Sequence, residues 1–131
     1  MIVLDTHCWL WWLSEPKQLS RNATAEIEKA VAEGEALISA ISVWEVALLV
    51  TRSRLDLSMD VDEWFGRAEA IPGFRFVPVN NRIAVRAVQL PGTFHTDPAD
   101  RLIVATALIQ GTAVATKDDK IRRYPHVRSV W

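Results

Sequence analysis

A single cysteine, Cys8, in 131 residues leaves no partner for an intramolecular disulfide and no thiolate set for a structural zinc site. The chain must hold itself together by packing, and a reducing, cytoplasmic setting is the natural expectation. Glycine is scarce too. Its five copies are scattered and form neither a dinucleotide fingerprint nor a phosphate-binding P-loop. No apolar run reaches the roughly 20 residues that span a bilayer. The longest, from Ala36 to Val50, carries Glu45, so no membrane span is expected. The opening Met1-Ile2-Val3-Leu4 lacks a basic leader and is interrupted by Asp5 and His7, unlike a signal peptide. A surplus of charge is also missing. At a net charge of −1 the chain cannot coat nucleic acid by bulk electrostatics, so any such contact is local. The candidates for it are the cluster Lys117, Lys120, Arg122 and Arg123, with Arg82, Arg86 and Arg101 beyond it.

Half of the residues are apolar, enough to bury one core, and residues 1–131 read as one domain without linker, repeat or low-complexity segment. Strand and helix signals alternate. An apolar run to Asp5 precedes a tryptophan-rich helix that stops before Pro16; Ser20 caps a helix to about Glu33, and Gly34 leads into a strand at 36–39. Ser42 is read as the start of a helix to about Arg52. Asp60 or Asp62 opens the next, ending before Pro72-Gly73. A strand at 74–79, a helix at 81–90 and, after Pro91-Gly92, a helix from Asp97-Pro98 to Gln110 follow. Gly111 hands over to a strand at 112–116, a short helix at 118–123 and a last strand at 127–131. The alternation predicts an α/β fold with a mainly parallel sheet of about five strands and helices on both faces.

In such a sheet, residues just past a strand share its C-terminal edge with the starts of helices that run antiparallel to the strands they precede, and that edge holds the ligand crevice. Asp5 ends the first strand, Glu45 falls in the first turn of the helix after the second, and Asp118 lies just beyond the fourth. Asp100, near the start of the helix leading into the fourth strand, joins them. Each acid has a plain alternative role: Asp5, Asp97 and Asp118 as helix caps, Ser42 with Glu45 as a capping box. Caps do not explain why four carboxylates share one edge. Crowded carboxylates repel by roughly several kcal/mol at an effective dielectric of ~20 unless protons or cations compensate. A hard divalent ion, Mg2+ or Mn2+, suits carboxylate and water ligands and leaves room for phosphate oxygens. Asp5, Asp100 and Asp118 are the expected ligands, and Glu45 a ligand or the group that orients an attacking water. Thr6 and Thr116 are candidates for bonds to the metal's waters, Asp97 and Asp119 for assisting their neighbours, and Arg101 or Lys117 for holding a phosphate.

The ordered set Asp5-Thr6-His7 with Leu10-Trp11-Trp12, Ser42-Val43-Trp44-Glu45, His95-Thr96-Asp97-Pro98-Ala99-Asp100-Arg101, Thr116-Lys117-Asp118 and the closing Trp131 resembles the PIN-domain ribonucleases, in particular the VapC-type toxins. The resemblance covers nearly the whole chain. It implies a three-layer α/β/α fold, magnesium- or manganese-dependent cleavage of an RNA substrate, a homodimer, and a cognate antitoxin whose tail covers the acidic pocket. The positions matching that family's acidic site are Asp5, Glu45, Asp100 and Asp118.

The six tryptophans need separate places. Trp9 and Trp12 share a helical face, one of the Trp9, Trp11 and Trp12 group is expected in the core, and Trp44 and Trp64 are read as core residues. His7 and His95 sit inside the motifs and are read as partly buried, hydrogen-bonded side chains. Cys8 is not expected to be a nucleophile, because neighbours in a helix do not face each other. Two other functions compete. A magnesium-binding signalling receiver would place a phosphate-accepting aspartate after a central strand, and the third strand here runs into Pro78-Val79-Asn80-Asn81 without one; a non-catalytic binding module is the other. A metal-dependent phosphatase would want an aspartate where His7 stands.

Overall fold

The computed structural model describes residues 1–131. Five strands form one sheet: β1 (Ile2–Leu4), β2 (Ala36–Ser39), β3 (Phe74–Val77), β4 (Val114–Ala115) and β5 (Ser129–Val130), in the order β3-β2-β1-β4-β5. Every neighbouring pair is parallel, with Val3 beside Leu37 on one side and Val114 on the other. The helices are α1 (Thr6–Ser14), α2 (Arg21–Ala32), α3 (Ala40–Thr51), α4 (Val61–Glu69), α5 (Asn81–Val88), α6 (Pro98–Gln110) and α7 (Asp119–Arg122). No helix is long and apolar enough to cross a membrane.

Alternation along the strands divides the core in two. Val3, Leu37, Val77 and Val114 pack on one face with Ile83 and Ala87 of α5, Ile103 and Val104 of α6, and Ile121 of α7. Ile2, Leu4, Ala36, Ile38 and Ala115 pack on the other with Cys8 and Trp9 of α1, Ile27 of α2, Val46 of α3 and Ala68 of α4. These are the three layers expected from sequence. The interior leucines and isoleucines are fully buried, and each contributes about 1.5–3 kcal/mol. Trp9 is buried among Trp64, Phe65 and Phe76, with ring centroids 5.4, 6.2 and 5.6 Å away, while Trp11 and Trp12 are half-buried. The turn into β3 depends on Gly73. Its φ is +93°, and a Cβ there would stand 2.5 Å from the Val31 carbonyl oxygen.

Three expectations are corrected. The third helix begins at Ala40, not Ser42, because Ser39 is both the last residue of β2 and the cap, its hydroxyl accepting from the Ile41 N–H at 3.2 Å. Strand passes into helix with no loop between them. The third, fourth and fifth strands are shorter than their apolar patterns; after the fourth, Thr116 lies beyond the ladder and its hydroxyl is turned to Asp5. Trp44 is no core residue: it is 56% exposed on the outer side of α3.

Candidate active site

The central strand β1 delivers Asp5 to the C-terminal edge, where the residue is only 4% exposed. Oδ1 accepts from the Thr6 N–H at 2.8 Å, capping α1, and Oδ2 accepts from the Thr116 hydroxyl at 2.7 Å. That hydroxyl in turn accepts from the Asp118 N–H at 3.0 Å, which fixes the chain entering α7. On the other side, the Thr6 hydroxyl lies 2.5 Å from Glu45 Oε1 and 2.8 Å from Ser42 Oγ. One hydroxyl has one proton, so Thr6 donates to the carboxylate and accepts from Ser42. The result is a continuous run from Glu45 through Thr6, Asp5 and Thr116 to Asp118. His7 braces it. Its Nε2 accepts from the Lys117 N–H at 3.1 Å, so its proton sits on Nδ1, which faces Asp5 Oδ2 at 3.5 Å.

The other half is built on α6. Asp97 caps that helix by accepting from the Asp100 N–H at 3.1 Å, and Pro98 occupies its first turn. The Asp100 carboxylate faces the cluster without a hydrogen-bond donor. His95 Nε2 comes within 3.0 Å of its Oδ2, but the ring nitrogen finds no aligned hydrogen bond. Burial, and then repulsion from Asp5, Asp97, Asp118 and Glu45, pushes the Asp100 carboxyl up to about 7. Glu45 is also raised, chiefly by burial, with its bond from Thr6 acting against the rise and the charges of Asp5 and Asp97 adding to it.

Residues 2–127 match the PIN domain family. The chain belongs to that family. It is 40% identical to Ribonuclease VapC22 of Mycobacterium tuberculosis over 130 residues, 98% of this chain and 95% of that protein. Among solved structures, FitAcB from Neisseria gonorrhoeae matches at 27% identity with a TM-score of 0.67, covering 98% of this chain and 96% of that one. VapBC2 from Rickettsia felis bound to a promoter DNA fragment matches with a TM-score of 0.69 over 98% of this chain and 97% of that one; at 15% identity the likeness is one of fold.

In this PIN domain the capping roles and the shared edge hold together: Asp5, Asp97 and Asp118 each cap a helix and each stand at the acidic edge. Glu45 falls in the second turn of α3 rather than the first, a consequence of the earlier helix start. Thr6 and Thr116 bond to the carboxylates themselves. Asp119 is exposed, pairs with Arg122 at 3.6 Å, and is not among the charges acting on Asp100. Lys117 is exposed, its ammonium 5.9 Å from the Trp11 ring centre. Arg101 is turned to the scaffold. Its guanidinium donates to four carbonyl oxygens, of Ala87 and Val88 at the end of α5 and of Phe94 and His95 in the following loop, at 2.8–3.1 Å. It ties the His95 loop to the scaffold. His7 is half-buried and hydrogen-bonded, as expected, whereas Ser42 escapes the sequence reading as part of the acid framework. For Ser42 the available signal was its place one helical turn before Glu45, which was read as a cap.

The donor set fits a hard divalent ion. All candidate ligands are carboxylate oxygens, and the Asp100 carboxylate lies among four like charges. No three His, Cys, Asp or Glu side chains stand close enough to grip an ion directly. Magnesium and manganese prefer carboxylate and water oxygens and keep several waters when bound, so a carboxylate set of this kind would hold them partly through water.

Proposed function

We propose that this PIN domain, residues 1–131 acting as one unit, is a metal-dependent endoribonuclease. Asp5, Asp100 and Asp118 would hold a magnesium or manganese ion, and Glu45 would orient the attacking water. The observation that carries the reading is that carboxylates from four separate elements meet at one sheet edge, with Asp100 raised to about 7 by burial and by its neighbours' charges. When bound, the divalent ion supplies electrostatic stabilisation of the scissile phosphate and an acidified water. The protein supplies orientation. Asp5 is held at both oxygens by Thr6 and Thr116, and Asp118 is positioned through its backbone N–H on Thr116. Glu45, raised by burial and aligned by Thr6, is suited to take the proton from the attacking water. The buried Cys8 thiol, pushed up to about 12, is unfit as a nucleophile.

The 40% identity to a protein named as a ribonuclease supports RNA as the substrate. Solved neighbours described as toxin-antitoxin and VapBC complexes support a toxin role, with an antitoxin protein as partner and arrest of growth by cleavage of cellular RNA. A homodimer and a cytoplasmic setting belong to the same proposal. The test is cleavage of a mixed cellular RNA pool with magnesium, with manganese and with chelator, beside Asp100→Asn. Discrete fragments that need metal and vanish in the variant support the nuclease; no cutting under any condition leaves a binding module as the better reading.

A further inference from the structure

The acids open on one side into a groove of about 690 Å³ along the outer face of α3. Ile41, Trp44, Glu45, Leu48 and Arg52 repeat at helical spacing along its wall, and Asp97-Pro98-Ala99 form the facing wall. Glu45 and Asp97 belong to both groove and acidic cluster, so the two are continuous. Trp44, beside Glu45 in sequence, is the one exposed tryptophan and makes no ring contact with another aromatic. The groove ends at Arg52 and Arg54, both exposed and without an ion pair or a side-chain hydrogen bond. Their placement is fixed by the backbone. Ser53 takes φ +54°, and the Arg54 N–H returns to the Leu49 carbonyl at 2.9 Å, so the chain reverses at the end of α3 and keeps Arg54 beside Arg52. Seven residues of helix between Glu45 and Arg52 amount to about 10 Å.

We propose that this groove binds the single-stranded flank of the RNA, with an unpaired base stacked on Trp44 and the backbone phosphates held by Arg52 and Arg54. An exposed aromatic platform with unpaired cations further along one groove is the arrangement single-stranded nucleic acids use: stacking takes any base, and the arginines follow the backbone. A duplex cannot use it, because its bases are already stacked. Lys120 and Arg123 line a second depression with His95, whose ring stands 3.0 Å from the Asp100 carboxylate, so a cationic margin also adjoins the cluster at Asp100. The proposal rests on the nuclease reading for its choice of RNA.

The experiment compares wild type, Trp44→Ala, Trp44→Phe and the double variant Arg52→Gln/Arg54→Gln on a single-stranded RNA and on the same RNA annealed to its complement. Binding is followed separately by fluorescence anisotropy of the labelled strand on the Asp100→Asn background, and each variant is sized in solution. Loss of the indole weakens single-strand binding roughly tenfold, the size expected for one stacked base. The loss falls on KM rather than kcat, and phenylalanine restores most of it. The double variant flattens the dependence of binding on salt by about two ion equivalents. Trp44-dependent binding without cleavage by wild type leaves the groove standing and removes the nuclease reading. Cleavage and binding unchanged in Trp44→Ala overturn the groove proposal. So does a wild-type dimer that Trp44→Ala converts to a monomer, which makes this face a contact between copies.

Discussion

The two halves of the acidic cluster are made differently. Asp5 sits on the central strand with both oxygens occupied by donors, linked through Thr6 and Thr116 to Glu45 and Asp118. Asp100 sits in the first turn of a helix that packs over the sheet; its carboxylate receives no hydrogen bond and has its acidity lowered by burial and four like charges. One half is complete in the protein alone. The other carries repulsion that a cation would relieve, so on the proposed reading ion binding and the order of the site are coupled through α6 more than through β1.

Several measurements break or sharpen this contrast. The largest effect is on cleavage, which Asp5→Ala and Asp100→Asn should each reduce by about a hundredfold or more. Their metal-free stabilities should move in opposite directions. Asp5→Ala strands the Thr6 N–H and the Thr116 hydroxyl and lowers urea stability by about 1–3 kcal/mol, whereas Asp100→Asn relieves repulsion and raises the melting temperature. Equal and same-signed shifts would end the distinction. Next comes Arg101→Leu, which leaves carbonyls of α5 and the His95 loop without their donor. It should cost about 2 kcal/mol and speed amide exchange around residues 89–96, while leaving exchange around Asp5 unchanged.

A third effect depends on pH. Because the Asp100 carboxyl titrates at about 7 in the folded chain against an ordinary 3.8, the folded state holds the extra proton between those values. The contribution of this group to metal-free stability is therefore full below that window and is lost as pH rises through it. Metal binding should release a proton in the same range, seen by calorimetry in buffers of different ionisation enthalpy. Asp100→Asn should flatten both curves, and persistence of the full slope would place the titrating group elsewhere. The smallest effect belongs to Ser42→Ala, which removes one donor from Thr6 and should lower stability by about 1 kcal/mol with a few-fold loss of cleavage at most.

Much of this arrangement was legible in the sequence, for physical reasons that can be named. Strand and helix alternation, with Pro98, Gly111 and Ser20 as punctuation, was enough for the parallel sheet, and the edge rule brought Asp5, Glu45, Asp100 and Asp118 to one side. The details that failed are those in which one residue serves two elements. Ser39 ends a strand and caps a helix, so Ser42 was mistaken for the cap and the bond from its hydroxyl to Thr6 was missed. Arg101 looks like a phosphate ligand beside an acid, and only the fold reveals the carbonyls gathered around it. Trp44 carries the bulk of a core residue, yet α3 turns its buried face through Ser42 and Val46 instead.

The hydrogen bond between Thr116 and Asp5 spans 111 positions of chain. Contacts of such separation form late, because the entropy of closing the loop must be met before the contact rewards it. Asp5 is therefore incompletely held until β4 has joined β1 and brought Thr116 beside it. Full occupancy of the Asp5 oxygens becomes a reporter of β4 docking, and any species in which that strand is undocked is unable to assemble the chemistry that β1 partly encodes.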